Sequence, residues 1–573
     1  MLSSRRLCYL HRGVCQLIGA ERVSTGVQPI DSKGQVLRSA SVVALITVIS
    51  RICGYLRDQR VALLLGTSPA ADAFVLAFRI PNLVRRMTGE GSLGASFIPI
   101  FTSYLRQGPR GSAWQFAGRV FWGLAILLAV AAALGAIFSR QVIGIYALFG
   151  GQHISWDLAV YLNRIIFPAI FFIGLAALAT AILHSFRAFA LPAATPIFFN
   201  LAMIACSTAV VYRPILRWAP QGFRTPAVAL AVGILLGGAV QLAMQVPALL
   251  RRGMTFAPTV SLSDPGVRKV ARLMGPSFFG MGVYQINLFV DTIFATSSRM
   301  PSGSITSLYV ADRVMQLVLG SYAIAISTAL LPTMSHQIAA GNWDEMKRTF
   351  GFSLRIVSFI TIPAAVGLVL LRRPIIQVLF QHGQFSAGST SLTSHALFFY
   401  SLGLPAFAAI KLITPMYYST QDTMTPARVG AWALGMNIVL NAVFLLFFFR
   451  TLSNGSPALA SALTAYFNFG ALFLVFRKRH GRLGARGLAG SFARIVLCAA
   501  VMAAACYAAL RFSHFAVASH LAAQAALLAA VILGSAAVYF GLARLLRCEE
   551  LAEFFLLLRR RDAQAVAVAD GRA

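Results

Sequence analysis

The sequence predicts an all-α polytopic membrane protein, and three observations predict it. Of its 573 residues, 58% are hydrophobic and only 12% charged, with a mean hydropathy of +0.74; a soluble domain carries about 25% charged residues. Apolar runs of the ~20 residues needed to cross a bilayer recur along nearly the whole chain. The stretch from Asp72 to Pro99 is also apolar, yet it carries Asp72, Arg79, Arg85, Arg86 and Glu90 and is broken by Pro81, Gly89, Gly91 and Gly94. Charge and broken backbone are tolerated at membrane depth only where they face a bundle interior or a watery cavity. Together these features point to a polar chamber inside a transporter.

Taken in order, residues 1–35 are polar and hold Arg5, Arg6, Arg12 and Arg22. The short Val14–Ala20 run, with no clear cleavage site, makes a poor signal peptide. The segment reads as a disordered extension or as the product of a start codon placed too early. About fourteen candidate spans follow, at 37–64, 69–104, 114–138, 156–183, 191–212, 226–249, 271–297, 304–334, 353–371, 391–418, 427–449, 457–476, 491–510 and 519–543. The second is too long for one straight helix, which its Pro and Gly breaks explain.

Loops after even-numbered spans hold fourteen Lys and Arg against nine after odd-numbered spans. Basic loops stay on the cytoplasmic side, so both chain ends read as cytoplasmic. A shift of 234 residues lays Arg79 on Arg313, Ser185 on Ser419 and Pro192 on Pro426. Six spans separate the copies, which makes them parallel repeats about an axis along the membrane normal. The expected organisation is an N-terminal lobe at 36–250, a cytoplasmic linker at 251–270 and a second six-helix lobe at 271–478. Two extra helices within 479–546 and a cytoplasmic tail at 547–573 complete it.

The net charge of +32 would suggest nucleic acid in a soluble chain. Here most basic residues sit in loops or at span ends, where they set orientation and meet membrane lipids, so no nucleic-acid partner is expected. The seven cysteines form no CxxC pair, which argues against a disulfide framework or metal site. Gly89-Glu-Gly-Ser-Leu-Gly94 matches GxGxxG but interrupts a span, whereas the nucleotide fingerprint needs a βαβ unit. No Gly-Lys dipeptide and no HExxH occurs. No enzyme chemistry and no cofactor is therefore indicated.

What remains is intramembrane arginine. Arg51 and Arg57 lie in the first span, Arg79, Arg85 and Arg86 in the second, and Arg313 beside Asp312 in the eighth. A guanidinium's planar fork suits phosphate. These arginines either line a cationic chamber for an anionic substrate, or snorkel to headgroups and pair with Asp58, Asp72, Glu90 and Asp312. Asp291 is an acid in an otherwise apolar run, and Asp422 lies on the approach to span 11 of the same lobe. The pair is a candidate site for a coupling Na⁺ or H⁺; the bland alternative is that Asp291 bonds within its lobe and Asp422 caps a helix.

Ser50-Arg-Ile-Cys-Gly-Tyr-Leu-Arg-Asp58, Asp72-Ala-Phe with Phe78-Arg-Ile-Pro-Asn-Leu-Val-Arg-Arg86, Glu90-Gly91 with Phe97-Ile-Pro99, and Ala311-Asp-Arg313 resemble the MurJ (MviN) family of lipid II flippases. Ser419-Thr-Gln-Asp-Thr-Met-Thr-Pro426 is similar to the family's junction between spans 10 and 11, and the resemblance runs over about residues 36–546. It implies fourteen helices in the architecture of the MOP exporter superfamily, and alternating access. The implied substrate is lipid II, the undecaprenyl-pyrophosphate-linked disaccharide-pentapeptide, carried from inner to outer leaflet of the bacterial inner membrane, with other cell-wall synthesis proteins as candidate partners. The resemblance puts the family's cavity arginines on Arg51, Arg57, Arg85 and Arg313 and its acidic partners on Asp72 and Glu90. Arg86 and Asp312 would support them, and 491–543 would bound a groove for the lipid tail. An exporter of another lipid-linked glycan, a drug–cation antiporter and a non-transporting cell-wall scaffold are the alternatives. A drug antiporter should expose carboxylates rather than an arginine excess.

Overall fold

The computed structural model describes residues 32–87, 93–107, 111–151, 153–256, 258, 261, 263–481, 485–512 and 520–553. Residues 1–31, the position of Glu90 and most of the expected tail lie outside the described residues. In the first half of the chain the helices are α1 (Ser32–Leu65), α2 (Pro69–Met87), α3 (Leu93–Gln107), α4 (Ser112–Ile137), α5 (Trp156–Ile166), α6 (Ala169–Ser185), α7 (Ala190–Cys206), α8 (Ala209–Trp218) and α9 (Pro226–Ala243). The second half holds α10 (Pro265–Ala295), α11 (Ser304–Ala339), α12 (Trp343–Phe380), α13 (Ala387–Ser419), α14 (Met424–Phe447) and α15 (Ser456–His480). Helices α16 (Ala485–Phe512) and α17 (Leu521–Leu545) follow. Among the described residues the only β pairing is an isolated bridge between Gly150 and Ser297.

Local chemistry sets several boundaries. Helix α1 begins at Ser32, ahead of the boundary expected at 36. Proline occupies the first position of α9 and α10, where its missing N–H costs nothing and its φ is already helical. Asp264 caps α10 by accepting from the N–H groups of Gly266 at 2.8 Å and Val267 at 3.2 Å, and it pairs with Arg119 of α4. The expected second span is described as α2 and α3, with 88–92 between them outside the described residues. The fourth is divided where α5 gives way to α6 around Phe167 and Pro168.

Among the described residues nine helices are long and apolar enough to cross a membrane, or ten if one bent pair counts as a single span. Several carry their apolar surface outward: Leu127 on α4, Trp432 on α14 and Leu533 on α17 are 63%, 75% and 69% exposed. A helix apolar on its outer face is solvated by lipid, and this is a multi-span helical membrane protein. Helices α1 and α11 carry the intramembrane charges Arg51, Arg57, Asp58, Arg60, Asp312 and Arg313.

In the first half α7 packs between α1 and α9, and α6 packs against α3, α4 and α9. In the second half α13 is central, flanked by α11, α12 and α15. Helix α12 also carries α16, which carries α17; Tyr539 of α17 donates its hydroxyl to the Phe359 carbonyl of α12 at 2.8 Å. The two halves meet where α2 touches α10 and α11, where α3 and α4 touch α10, and where α1 touches α12.

One end of this seam is latched by backbone. The Gln384 N–H donates to the Leu63 carbonyl at 2.9 Å, and the Gly151 N–H to the Thr296 carbonyl at 2.8 Å. The hydroxyls of Thr67 and Ser389 are 2.8 Å apart. Gly303 (φ 85°) and Gly383 (φ 60°) sit in this latch with left-handed backbone. A Cβ at Gly303 would fall 2.3 Å from the Thr67 carbonyl oxygen, and one at Gly383 2.6 Å from that of Leu63. Glycine is needed twice over, for the conformation and for the approach.

Candidate functional site: a cationic chamber between α1 and α11

Arg51, Arg57 and Asp58 of α1 and Arg313, Gln316 and Gly320 of α11 line one cavity of about 290 Å³, with Phe380 of α12 on its wall. Spacing explains the face. Arg51, Gly54 and Asp58 are separated by three and four residues, as are Arg313, Gln316 and Gly320, so each set lies along one side of its helix.

Asp58 is the hub. Arg57 donates to its Oδ1 through Nη2 at 2.6 Å and Nε at 3.0 Å, and reaches Asn200 Oδ1 of α7 through Nη1 at 3.0 Å. Across the cavity Arg313 Nε lies 3.7 Å from Asp58 Oδ2. Arg313 also donates to the Tyr309 hydroxyl at 3.1 Å, and its guanidinium lies 5.0 Å from the centre of that ring. The Tyr309 hydroxyl donates to Asp58 at 3.4 Å. Arg51 is exposed to the cavity and donates to the Gly320 carbonyl of α11 at 2.9 Å. Among the described residues three guanidiniums and one carboxylate line the cavity. The surplus of positive charge, held in a low-dielectric wall, attracts an anion and offers it forked N–H donors.

The other expected site residues distribute as follows. Arg85 and Arg86 lie on α2, and their side chains, like Glu90 as a whole, are outside the described residues. Asp72 is fully buried, and among the described residues no guanidinium pairs with it. It accepts from the Gly303 N–H at 2.8 Å, the Thr306 N–H at 2.8 Å and the Thr306 hydroxyl at 2.7 Å. It therefore bonds α2 to the first turn of α11 across the seam. Asp312 is buried behind the cavity and accepts from Gln316 at 2.5 Å.

Asp291 and Asp422 do not meet. Asp422 stands before α14 and bonds the N–H and hydroxyl of Thr425 and the guanidinium of Arg479. Burial pushes its pKa up, but the Thr425 and Arg479 bonds outweigh this and hold the carboxyl below the usual range. Asp291 is buried farther along the bundle. It accepts from Asn437 at 3.2 Å and Asn441 at 2.9 Å, both on α14, and from Ser461 of α15 at 2.6 Å. From Asp422 to Asn437 is about 22 Å of chain at 1.5 Å per residue, so the expected pairing of the two acids is not made, and Asp291 is bonded by neutral donors with the charge of Arg79 nearby. Among the described residues no three His, Cys, Asp or Glu side chains cluster as metal ligands would.

Sequence reasoning passed over Tyr309, Asn200, Thr306, Asn437, Asn441 and Ser461. Two signals were available: Tyr309 with Arg313, and Asn437 with Asn441, are both four apart on a helix. Arg79, noted as an intramembrane arginine, donates to Thr292 of α10 at 2.9 Å, next to Asp291.

A family model described as lipid II flippase MurJ matches residues 61–525. The probable lipid II flippase MurJ of Vibrio cholerae serotype O1 is 37% identical over 450 residues, 77% of this chain and 82% of that protein. The lipid II flippase MurJ of Burkholderia cenocepacia is 31% identical over 513 residues, 88% of this chain and 96% of that protein. A solved lipid II flippase MurJ in an inward closed conformation superposes with a TM-score of 0.69 at 24% identity, covering 87% of this chain and 98% of that one. An inward-facing MATE-family multidrug transporter of the MOP superfamily gives 0.62 at 15%, covering 79% and 99%, a likeness of fold alone. With the motifs around Arg51, Asp72 and Arg313 pointing the same way, the chain belongs to the lipid II flippase MurJ family.

Proposed function

We propose that this protein is a transporter that moves lipid II from the inner to the outer leaflet of the bacterial inner membrane by alternating access. The observation that carries the reading is the cationic cavity between α1 and α11 in a chain of this family. Arg51, Arg313 and Arg85 bind the pyrophosphate, and Arg57, tied to Asp58, supports them. The polyprenyl tail stays in lipid beside α16 and α17 while the sugar-peptide head crosses. The chain spans the membrane fourteen times as two six-helix lobes in parallel repeat followed by α16 and α17, with both termini cytoplasmic. The seam latched by Gly303, Gly383 and Asp72 is then the outer gate, and Glu90 orients the guanidiniums or helps to gate the lobes.

The sequence offers no nucleotide motif, and in this reading the membrane potential, an ion gradient or both drive export. An anionic head leaves an inside-negative cell downhill, at about 2.3 kcal/mol per charge per 100 mV, and an empty cationic chamber returns inward downhill. A coupling Na⁺ or H⁺ fits Asp291. The donor set is one carboxylate with amide and hydroxyl oxygens, suited to a hard cation, and the buried Asn441 Oδ1 has no hydrogen-bond partner. The structural likeness to multidrug transporters offers drug export as a second reading, but an arginine-rich cavity repels cationic drugs.

The test is the appearance of lipid II in the outer leaflet. Arg51→Ala, Arg85→Ala and Arg313→Ala should each abolish it in protein that still inserts, because a charge-assisted bond to phosphate is worth about 1.5–3 kcal/mol. Normal growth of cells relying on the triple alanine variant would overturn the substrate assignment.

A further inference from the structure

A second basic cavity is separate from the chamber but close to it at the end of α12, where Phe380 lines the chamber and Gln377 and Gln381 line the second space. Arg372, Arg373, Gln377 and Gln381 near the end of α12, Ser391 and His395 at the start of α13, and Tyr507 and Arg511 at the end of α16 line a space of about 890 Å³. None of its lining residues is acidic, and among the described residues none of its three arginines forms an ion pair. The connecting segments 381–391 and 512–520 contain no Asp or Glu. Arg373 and Arg511 are exposed to this space. Arg372 is fixed: its guanidinium lies 5.1 Å from the Phe398 ring centre and donates to the Val369 carbonyl at 2.5 Å.

Position sharpens the chemistry. With the termini cytoplasmic, α12 and α16 both end on the outer side, where basic residues are disfavoured. Three of the nine Lys and Arg counted in the outer loops converge on this one cavity. Its apolar members Leu370 and Leu510 pack on the small core between α12, α16 and α17, and beside it α16 exposes Val501, Tyr507 and Phe512. Unpaired guanidiniums at headgroup depth, beside apolar helix surface, suit a phosphate that is tethered to a lipid chain.

We infer that this cavity is a binding site for the phosphate of an outer-leaflet lipid. Phosphodiester and pyrophosphate lipids share that chemistry. The occupant is therefore either an anionic phospholipid that wedges α16 against α12, or the polyprenyl pyrophosphate of the transported lipid after it leaves the chamber. The site assignment rests on the orientation given above, and not on which molecule the chamber carries.

The experiment places a benzophenone side chain at Tyr507 in the full chain. Right-side-out inner-membrane vesicles receive labelled phosphatidylglycerol or phosphatidylcholine from outside and are irradiated. Phosphatidylglycerol should be captured preferentially, and Arg372→Gln, Arg373→Gln and Arg511→Gln combined should cut capture about tenfold or more, as lost charge-assisted bonds require. The corresponding three Lys substitutions should retain most of it, which separates loss of charge from loss of fold. Displacement by excess undecaprenyl pyrophosphate assigns the site to the transported lipid; its failure to displace assigns it to phospholipid. Arg313→Ala should leave capture unchanged, so a dead chamber and a false cavity are told apart. Equal capture of both lipids, unchanged capture in the triple Gln variant, or capture only from the opposite face would overturn the proposal.

Discussion

Asp72 and Thr306 are bonded to each other twice across the seam between the two halves of the chain, through the Thr306 N–H and its hydroxyl. With the Gly303 N–H on its other oxygen, the carboxylate caps α11 from a different helix. The acid of one half thereby supplies the helix-terminus partner that the other half's own sequence lacks: the residue before α11 is Gly303, which has no side chain to cap it.

Removing that carboxylate should unlatch the seam. A lost cap costs about 0.5–2 kcal/mol and a lost charge-assisted bond about 1.5–3 kcal/mol. Asp72→Ala should therefore shift the equilibrium away from this closure by about tenfold or more, with Thr306→Val showing a smaller effect. Spin labels at Ser68 and Ser302 in lipid vesicles read the distance, and an unchanged distribution would remove Asp72 from gating.

Gly303→Ala tests the same closure by addition instead of deletion. The methyl group would meet the Thr67 carbonyl, and its backbone would be held at positive φ, a strain of about 1–2 kcal/mol before the clash. Flipping should fall sharply while helix content by circular dichroism stays constant. A fully active Gly303→Ala protein would show that the latch never closes as described here.

Arg313→Lys keeps the charge and removes the fork. Lysine cannot reproduce the approach to Asp58 and the bond and ring contact with Tyr309 while also gripping phosphate. The variant should retain less than about a tenth of the flipping rate, given one or two lost charged bonds. Tyr309→Phe, which loses only the hydroxyl, should fall between it and the wild type. Full activity in Arg313→Lys would mean that the site reads charge alone.

Asp291→Asn separates the two driving forces. Flipping is measured in proteoliposomes with an imposed potential, with and without a Na⁺ or proton gradient. The wild type should respond to both, and the variant to potential only. If wild type ignores the ion gradients, or the variant still follows them, Asp291 is a buried hydrogen-bond acceptor and the arginine chamber stands without it.

Helical class, membrane residence and the presence of an arginine-rich interior were legible in the chain. Each depends on composition and local periodicity: apolar runs, proline at helix starts, and charges spaced along one helix face. The motifs at Arg51, Asp72 and Arg313 added the family. Asp264 beside Pro265 was a local signal left unread: the linker was expected to run to 270, yet α10 begins at Pro265.

Partners could not be read in this way, because they join residues far apart in the chain. Asp58 gathers Arg57, its neighbour, and Arg313, from the other half. Asp72 reaches α11, and Asp291 takes two amides of α14 and a hydroxyl of α15 rather than Asp422. A buried carboxylate must find donors wherever packing brings them, since leaving it bare in a low dielectric is prohibitive. Sequence decides that such a group exists and needs partners; the docking of the two halves decides which ones it has.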